Sequence, residues 1–422
     1  MFKQNLCGRK PTDRSAFVWN MIGSSMYAAS SLLLTYLTIR MVGADEGGMF
    51  AFALTIAQLL ANIVYYETRN YQVTDTKKQY IFGDYHSVKI INSIGMLLTA
   101  SVLVVARRYS FTKAILVILV CIYRMLDGYA DGYESHFHAS GRLDLAGKSM
   151  TYRAIISVSV YFILLSITHN TVVSISTAIL AGVIGILIFD VGAFGAVGRV
   201  ELSVNKKAIS GILKACFPLF ASMFLWTYIL SASRIAVDTA MNDNAQAYFQ
   251  VLFMPVSVIN LFATFILKPS LIGLTEDYAN RSNRFIVRSL TLLAEIVIFS
   301  VVCMALAYFL GPPVLQIISG LDMSQYRLLF TFLIFAGGIN AIVYLLYSLL
   351  LIFRRSKQIL ITYVLASVLI LFLSLKMTVV WGLWGASASY LAAVSFVMII
   401  FGVMVVSECT KIYKNTGSFN ID

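Results

Sequence analysis

The stretch AIISVSVYFILLSITHNTVVSISTAILAGVIGILIF, residues 154–189, contains no Asp, Glu, Lys or Arg. As a single helix it would run about 54 Å, whereas the hydrocarbon core of a bilayer is about 30 Å thick and takes roughly 20 apolar residues. One crossing is too few. The cluster His169-Asn170-Thr171 is the only polar interruption that leaves two helices of suitable length, so spans are expected at 150–168 and 172–197. Lipid offers the backbone no hydrogen-bond partners, and uninterrupted apolar runs of this length select helices.

Working outward from this pair, near-continuous apolar runs also lie at 16–39, 47–66, 90–106, 114–133, 212–233, 244–267, 286–310, 328–353, 358–375 and 382–406. Hydrophobic residues make up 59% of the 422-residue chain and charged residues only 12%, which excludes a soluble enzyme. The expectation is an all-α integral membrane protein of about twelve transmembrane helices. An even number of crossings puts both termini on one side.

Basic residues stay on the cytoplasmic side of a membrane. With the N-terminus inside, 24 of the 32 Lys and Arg fall on inner segments, among them Lys3, Arg9, Lys10, Lys77, Lys78, Lys89, Arg153, Arg199 and Arg281. Seven fall outside and Arg124 alone sits near mid-membrane, so an N-in/C-in topology is expected. The net charge of +12 is spread along inner loops, where topology and anionic lipid head groups explain it; nucleic acid is not an expected partner. The polar, basic start MFKQNLCGRKPTDRS leads into a full-length span and reads as a retained first helix, not a cleaved signal peptide. Cys7, Cys121, Cys216, Cys303 and Cys409 form no C-x-x-C pair. They imply neither a disulfide framework nor a metal site.

The polar inner segment after the sixth span divides the chain into an N-terminal six-helix bundle (1–197), a cytoplasmic linker (198–211) and a C-terminal six-helix bundle (212–422). Two bundles facing across a central cavity are a common transporter plan. Arg40 before Met49-Phe50-Ala51 and Arg234 before Ala247-Tyr248-Phe249 suggest a parallel repeat. Pro218, Pro255 and Gly337-Gly338 interrupt spans, either for packing or as hinges. The glycines at 128, 132, 192, 195 and 198 read as points of close helix approach.

Ionisable side chains inside a span cost roughly 2.5 to 3.5 kcal/mol each and usually face a bundle interior or a wet cavity. Arg124, Asp127, Asp131, Glu134 and His138 recur at spacings of three, four, three and four, on one face of the fourth span. One reading is an intrahelical ladder, with Arg124 neutralised by Asp127 and Asp131 and the lower residues in solvent. The other is the lining of an inward-opening cavity, with Arg124 offered to an anion and Asp127 or Asp131 to a coupling H+ or Na+. Glu295, about ten residues into the ninth span, is either a further coupling-ion candidate or a carboxyl bonded between helices. Asp190 reads as interfacial. Arg40, Arg69, Arg234 and Lys268 stand at span ends, where they either snorkel to head groups or form cationic stations for a phosphate-bearing substrate. No phosphate-binding G-x-x-x-x-G-K-[ST] loop is present, and His86, His136, His138 and His169 form no zinc-like constellation, so no cofactor is expected.

The segment Leu37-Thr-Ile-Arg40-Met-Val-Gly43-Ala-Asp-Glu-Gly-Gly48-Met-Phe50 resembles the R-x-x-G-x-x-x-x-G-x-[FY] signature of bacterial polysaccharide biosynthesis proteins, the oligosaccharide flippases of the multidrug/oligosaccharidyl-lipid/polysaccharide (MOP) exporter superfamily. Arg69-Asn-Tyr-Gln-Val-Thr-Asp75, Gly141-Arg-Leu-Asp-Leu-Ala-Gly-Lys-Ser149 and Phe253-Met-Pro-Val-Ser-Val-Ile-Asn260 strengthen the resemblance, which spans most of the chain. It implies two six-helix bundles working by alternating access. The implied substrate is an undecaprenyl-diphosphate-linked oligosaccharide, carried from the inner to the outer leaflet for surface polysaccharide, and the implied partners are membrane lipids and the glycosyltransferases and polymerase of the same pathway. Arg40, Gly43, Gly48 and Arg69 are the matching signature positions. Two rivals stay open: a membrane polymerase or glycosyltransferase, which would need a larger external loop than the 17 or so residues available here, and a cation-coupled exporter of small drugs.

Overall fold

Each chain reversal of the N-terminal half is made by residues suited to stopping a helix. In the computed structural model, which describes residues 12–75, 79–194, 197, 205–280, 282 and 284–416, helix α1 (Asp13–Val42) is capped by Thr12, whose hydroxyl accepts the Ser15 N–H at 3.4 Å. It joins α2 (Ala44–Tyr65) through the single residue Gly43 at φ 89°, a left-handed conformation that disfavours a side chain. That geometry accounts for the glycine at this signature position. The tight contact in the corner falls on Gly47, where a Cβ would lie 2.7 Å from Ile39 Cα.

A short α3 (Thr68–Thr74) leads to α4 (Phe82–Arg107), α5 (Phe111–Ala139) and α6 (Leu143–Thr168). Helix α6 ends at His169, which is left-handed at φ 47°, and Asn170 caps α7 (Thr171–Gly185) by accepting the Val173 N–H at 3.1 Å. The apolar 36-residue run is therefore cut at His169–Thr171, as its length demands. Helix α7 continues through a π turn (Ile186–Val191) into α8 (Gly192–Phe194). Then follow α9 (Lys206–Ala240), α10 (Asp243–Ala279), α11 (Arg284–Ser319), a 3-10 turn (Ser324–Tyr326), α12 (Arg327–Ile352) and α13 (Ser356–Thr416).

Ten stretches are long and apolar enough to cross a membrane among the described residues. Helix α5 is not one of them because of its ionisable residues, and Ser356–Thr410 counts once although Gly382, at φ 56°, breaks α13 into two legs. With both allowances twelve membrane-length helices result, and the protein is a multi-pass membrane protein with no strand among its described residues. Lys3, Arg9, Lys10, Cys7, Lys77, Lys78, Gly195, Arg199 and Arg281 lie outside the described residues, as does 198–204 of the expected linker.

The chain forms two compact units, Met1–Thr227 and Tyr228–Asp422, whose boundary falls inside α9. In the first unit Ile209, Ile212 and Cys216 of α9 pack on Tyr85 and Val88 of α4. Helices α1 and α6 meet most closely: a Cβ on Gly147 would sit 2.2 Å from the Trp19 carbonyl oxygen, and one on Gly23 2.6 Å from that of Gly147. In the second unit, α12 approaches α10 and α11 through glycine. A Cβ on Gly337 would meet Val256 at 3.1 Å, and one on Gly338 would meet Ser300 at 2.8 Å. Pro218 lies inside α9 and Pro255 and Pro269 inside α10. Helix α11 presents Val287, Leu290, Ile298, Val302, Phe309 and Ile317 outward, a face suited to lipid.

Two substitutions separate close approach from simple helix composition. Gly147→Val forces backbone apart at the α1–α6 crossing and is expected to remove most of the monodisperse protein in detergent size-exclusion chromatography. Gly402→Ala, where a Cβ meets nothing within 4 Å, should leave the elution profile and thermal midpoint unchanged.

Candidate functional site

The ionisable stripe of α5 is enclosed within the N-terminal unit, and each of its carboxylates meets a cation from another helix. Arg124 is 0% exposed. Its guanidinium donates to Asp127 at 2.9 Å and to the Ser31 hydroxyl of α1, and lies 5.0 Å from the ring centre of Tyr27 and 5.4 Å from that of Tyr123. The other Asp127 oxygen faces Arg153 Nε of α6 at 3.6 Å. Arg153 donates on to Glu134 at 2.9 Å and to Asp190 at 2.9 Å, and Ser149 donates to the second Asp190 oxygen at 2.6 Å.

Arg69 of α3 closes the other side. It donates to Asp131 at 3.1 Å and Glu134 at 3.3 Å, with its side chain 28% exposed. Lys89 of α4 donates to the remaining Asp131 oxygen at 2.8 Å and to the carbonyls of Val64 and Tyr65 at 3.2 and 3.1 Å. Those carbonyls belong to the last turn of α2, which has no intrahelical donors left and carries partial negative charge, so a buried ammonium serves both the helix end and the carboxylate.

Local backbone makes room for this arrangement. A Cβ on Gly132 would come 3.2 Å from the Lys89 stem, and one on Gly185 would come 3.1 Å from that of Arg153. Consecutive left-handed residues, Tyr66 at φ 47° and Glu67 at φ 53°, turn the chain so that α3 brings Arg69 back over α5. Neither is glycine, and such strain concentrates where the surrounding structure fixes a site. The π turn Ile186–Val191 carries Asp190, an irregularity that often marks a functional position.

The network contains four cations, Arg69, Lys89, Arg124 and Arg153, and four carboxylates, Asp127, Asp131, Glu134 and Asp190. Its formal charge is zero. The ladder expected from α5 alone is therefore corrected: Asp131 pairs with Arg69 and Lys89 instead of Arg124, and Glu134 is buried, not solvated. Asp190, expected at the interface, is fully buried against Arg153. Lys89 and Arg153, counted above among inner-segment cations, are buried inside α4 and α6. Sequence reasoning missed both as site residues; each lies one or a few residues from an assumed span boundary in a helix that begins earlier than its apolar run.

The remaining candidates are dispersed. Arg40 is exposed at the end of α1, and Glu295 is exposed on α11. Arg234 of α9 is buried in the C-terminal unit. Lys268 lies in α10, with its side chain outside the described residues. His138 is half-buried at the end of the stripe and makes no ion pair among the described residues.

Removing one member of a buried ion network strands its partners at a cost of about 3–5 kcal/mol. Arg153→Gln, which leaves Asp190 without a cation and Glu134 with Arg69 alone, should lower the thermal midpoint sharply in detergent. Gly132→Val should do so through displacement of Lys89, and Lys148→Gln, whose 3.6 Å pair with Asp144 lies outside the network, should not.

No protein-family profile and no curated protein matches this chain. Solved structures do. The lipid II flippase MurJ in an inward closed conformation superposes with a TM-score of 0.71 at 15% identity, covering 94% of this chain and 90% of that one. An inward-facing multidrug resistance MATE family transporter of the MOP superfamily gives 0.64 at 12% identity over 99% of both chains. A MOP superfamily transporter from Pyrococcus furiosus, described as having a binding pocket of reversed polarity, gives 0.59 at 14% identity over 99% of both. At these identities the likeness concerns architecture, and the chain has the fold of MOP-superfamily transporters.

Proposed function

We propose that this protein is a flippase that moves a polyprenyl-diphosphate-linked oligosaccharide from the inner to the outer leaflet without covalent chemistry. The likeness to the MurJ structure, stronger than that to the MATE exporter at 0.71 against 0.64, is the observation that carries the reading, and the signature positions Arg40, Gly43, Gly48 and Arg69 agree with it. The physical problem suits such a machine. A diphosphate with several sugars would cost tens of kcal/mol to drag through hydrocarbon in the continuum limit, and a polar passage removes most of that barrier while the prenyl tail stays in lipid.

The balanced network supplies a way to handle that charge. Arg69 is the most accessible of its cations, and Arg40 is exposed at the other end of α2, one span away. A diphosphate that takes over Arg69 and Arg124 displaces Asp131 and Asp127, and those carboxylates then accept H+ or Na+. Charge stays balanced at each stage, and each charge-assisted hydrogen bond to phosphate contributes about 1.5 to 3 kcal/mol. In this reading Lys268 and Glu295 serve the C-terminal half of the path.

A second reading, a cation-coupled exporter of small molecules, is favoured by one observation: the four cations of the buried network are matched by four carboxylates, so the network offers no standing positive charge. Leaflet accessibility of a lipid-diphosphate oligosaccharide in proteoliposomes, under an imposed proton or sodium gradient, separates the two. The flippase reading expects protein-dependent outward exposure without chain extension. Lengthened glycans would point to a polymerase, and efflux of a small cation with no lipid movement would favour the exporter. Arg124→Ala, which keeps Asp127 paired with Arg153, should still insert but lower the flipping rate by about tenfold or more, the equivalent of one such bond.

A further inference from the structure

Among the described residues of the C-terminal unit, Arg234 is a buried cation without the carboxylates that balance the network of the N-terminal unit. Arg234 is 8% exposed, its Nε has no partner, and its one described hydrogen bond goes to Ser231 of its own helix at 3.2 Å. Its guanidinium carbon lies 4.9 Å from the ring centre of Phe253 on α10, and Phe253 packs edge-on against Tyr390 of α13 with centroids 4.9 Å apart. Cation–π contact contributes about 0.5–2 kcal/mol, well short of the several kcal/mol that burying a charge costs.

Other buried polar groups gather on the same elements. Gln246 and Gln250 precede Phe253 by seven and three residues, on one face of α10. Both amide atoms of Gln246 are unsatisfied, as is the Gln250 oxygen. The Tyr390 hydroxyl lies beside Asn340 of α12, yet neither it nor the Asn340 oxygen completes a hydrogen bond. The Ser233 hydroxyl, next to Arg234, is buried and unsatisfied too. Buried polar groups are normally paired, so a cluster of exceptions signals something that occupies it. Three of these groups, Arg234 Nε, Gln246 Nε2 and Tyr390 Oη, can donate, whereas Ser233, one residue before Arg234 on the helix, points about 100° away from it. An amide flip turns the Asn340 side chain from acceptor to donor. Donors around one uncompensated positive charge call for an acceptor of one negative charge.

We propose that Arg234, Gln246 and Tyr390 form a buried binding site for a small monovalent inorganic anion within the C-terminal unit. The site neutralises Arg234 without consuming a carboxylate, and it does so whatever the protein transports.

The test uses the purified full chain at constant sodium and ionic strength, with chloride replacing bulky gluconate. The thermal midpoint of the wild type is expected to rise saturably with chloride. Arg234→Gln should show no difference between the two anions, and Gln246→Leu, which keeps the charge, should raise the half-saturating chloride concentration by about tenfold, the worth of one hydrogen bond. Crystals soaked in bromide should show an anomalous peak beside Arg234 in the wild type, a readout independent of stability. Equal chloride responses in wild type and Arg234→Gln, or no bromide peak there, would overturn the proposal. Stabilisation by inorganic pyrophosphate in preference to chloride, lost in Arg234→Gln, would assign the pocket to a diphosphate and overturn it as well.

Discussion

A charge held away from water must be met by another charge, and the N-terminal unit is organised around that requirement. The stripe on α5 sets one cation, Arg124, among three carboxylates, and the neighbouring helices supply the positive charges that balance them: Arg69 from α3, Lys89 from α4, Arg153 from α6. Asp190 then answers the second edge of Arg153. The irregular features of the unit follow from the same need. Two left-handed residues aim α3, a π turn aims Asp190, and Gly132 and Gly185 open the space through which the stems of Lys89 and Arg153 pass.

The C-terminal unit solves a different problem. Its described ion pairs, Arg288 with Asp277 at 2.9 Å and Arg355 with Glu408 at 2.6 Å, sit at helix ends and are partly exposed, where such pairs contribute little. Its helices meet through Gly337 and Gly338 and turn an apolar face outward on α11. Against that background Arg234 is an exception that no carboxylate explains. The two units thus differ in chemistry: one holds a balanced buried network, and the other, among its described residues, a buried Arg234 that no carboxylate meets.

Much of this was legible in the sequence because it depends on period and length. The spacing of Arg124, Asp127, Asp131 and Glu134 put them on one face, and the uncharged run 154–189 had to break at His169–Thr171. The partners were harder to read. Lys89 falls just before the apolar run that begins at 90 and Arg153 just inside the one that begins at 150, so both read as cations at inner span ends; α4 in fact starts at Phe82 and α6 at Leu143, which carries both residues deeper into their helices. Asp190 was read as interfacial because a π turn leaves no sequence signal. Burial of Arg234 was equally hidden, since a cation near a span end can snorkel or turn inward with the same sequence.

The double-mutant cycle of Lys89 and Asp131 tests most directly whether mutual compensation holds this unit together. Thermal unfolding in detergent would be compared for the wild type, Lys89→Met, Asp131→Leu and the double variant. Compensation predicts that Asp131→Leu leaves Lys89 without a carboxylate, that Lys89→Met leaves Asp131 with Arg69 alone, and that the double variant is more stable than the sum of the two losses allows, with a coupling of about 0.5–3 kcal/mol. Strictly additive losses would mean that the two charges do not depend on each other, and the account of α5 as a balanced network would fail.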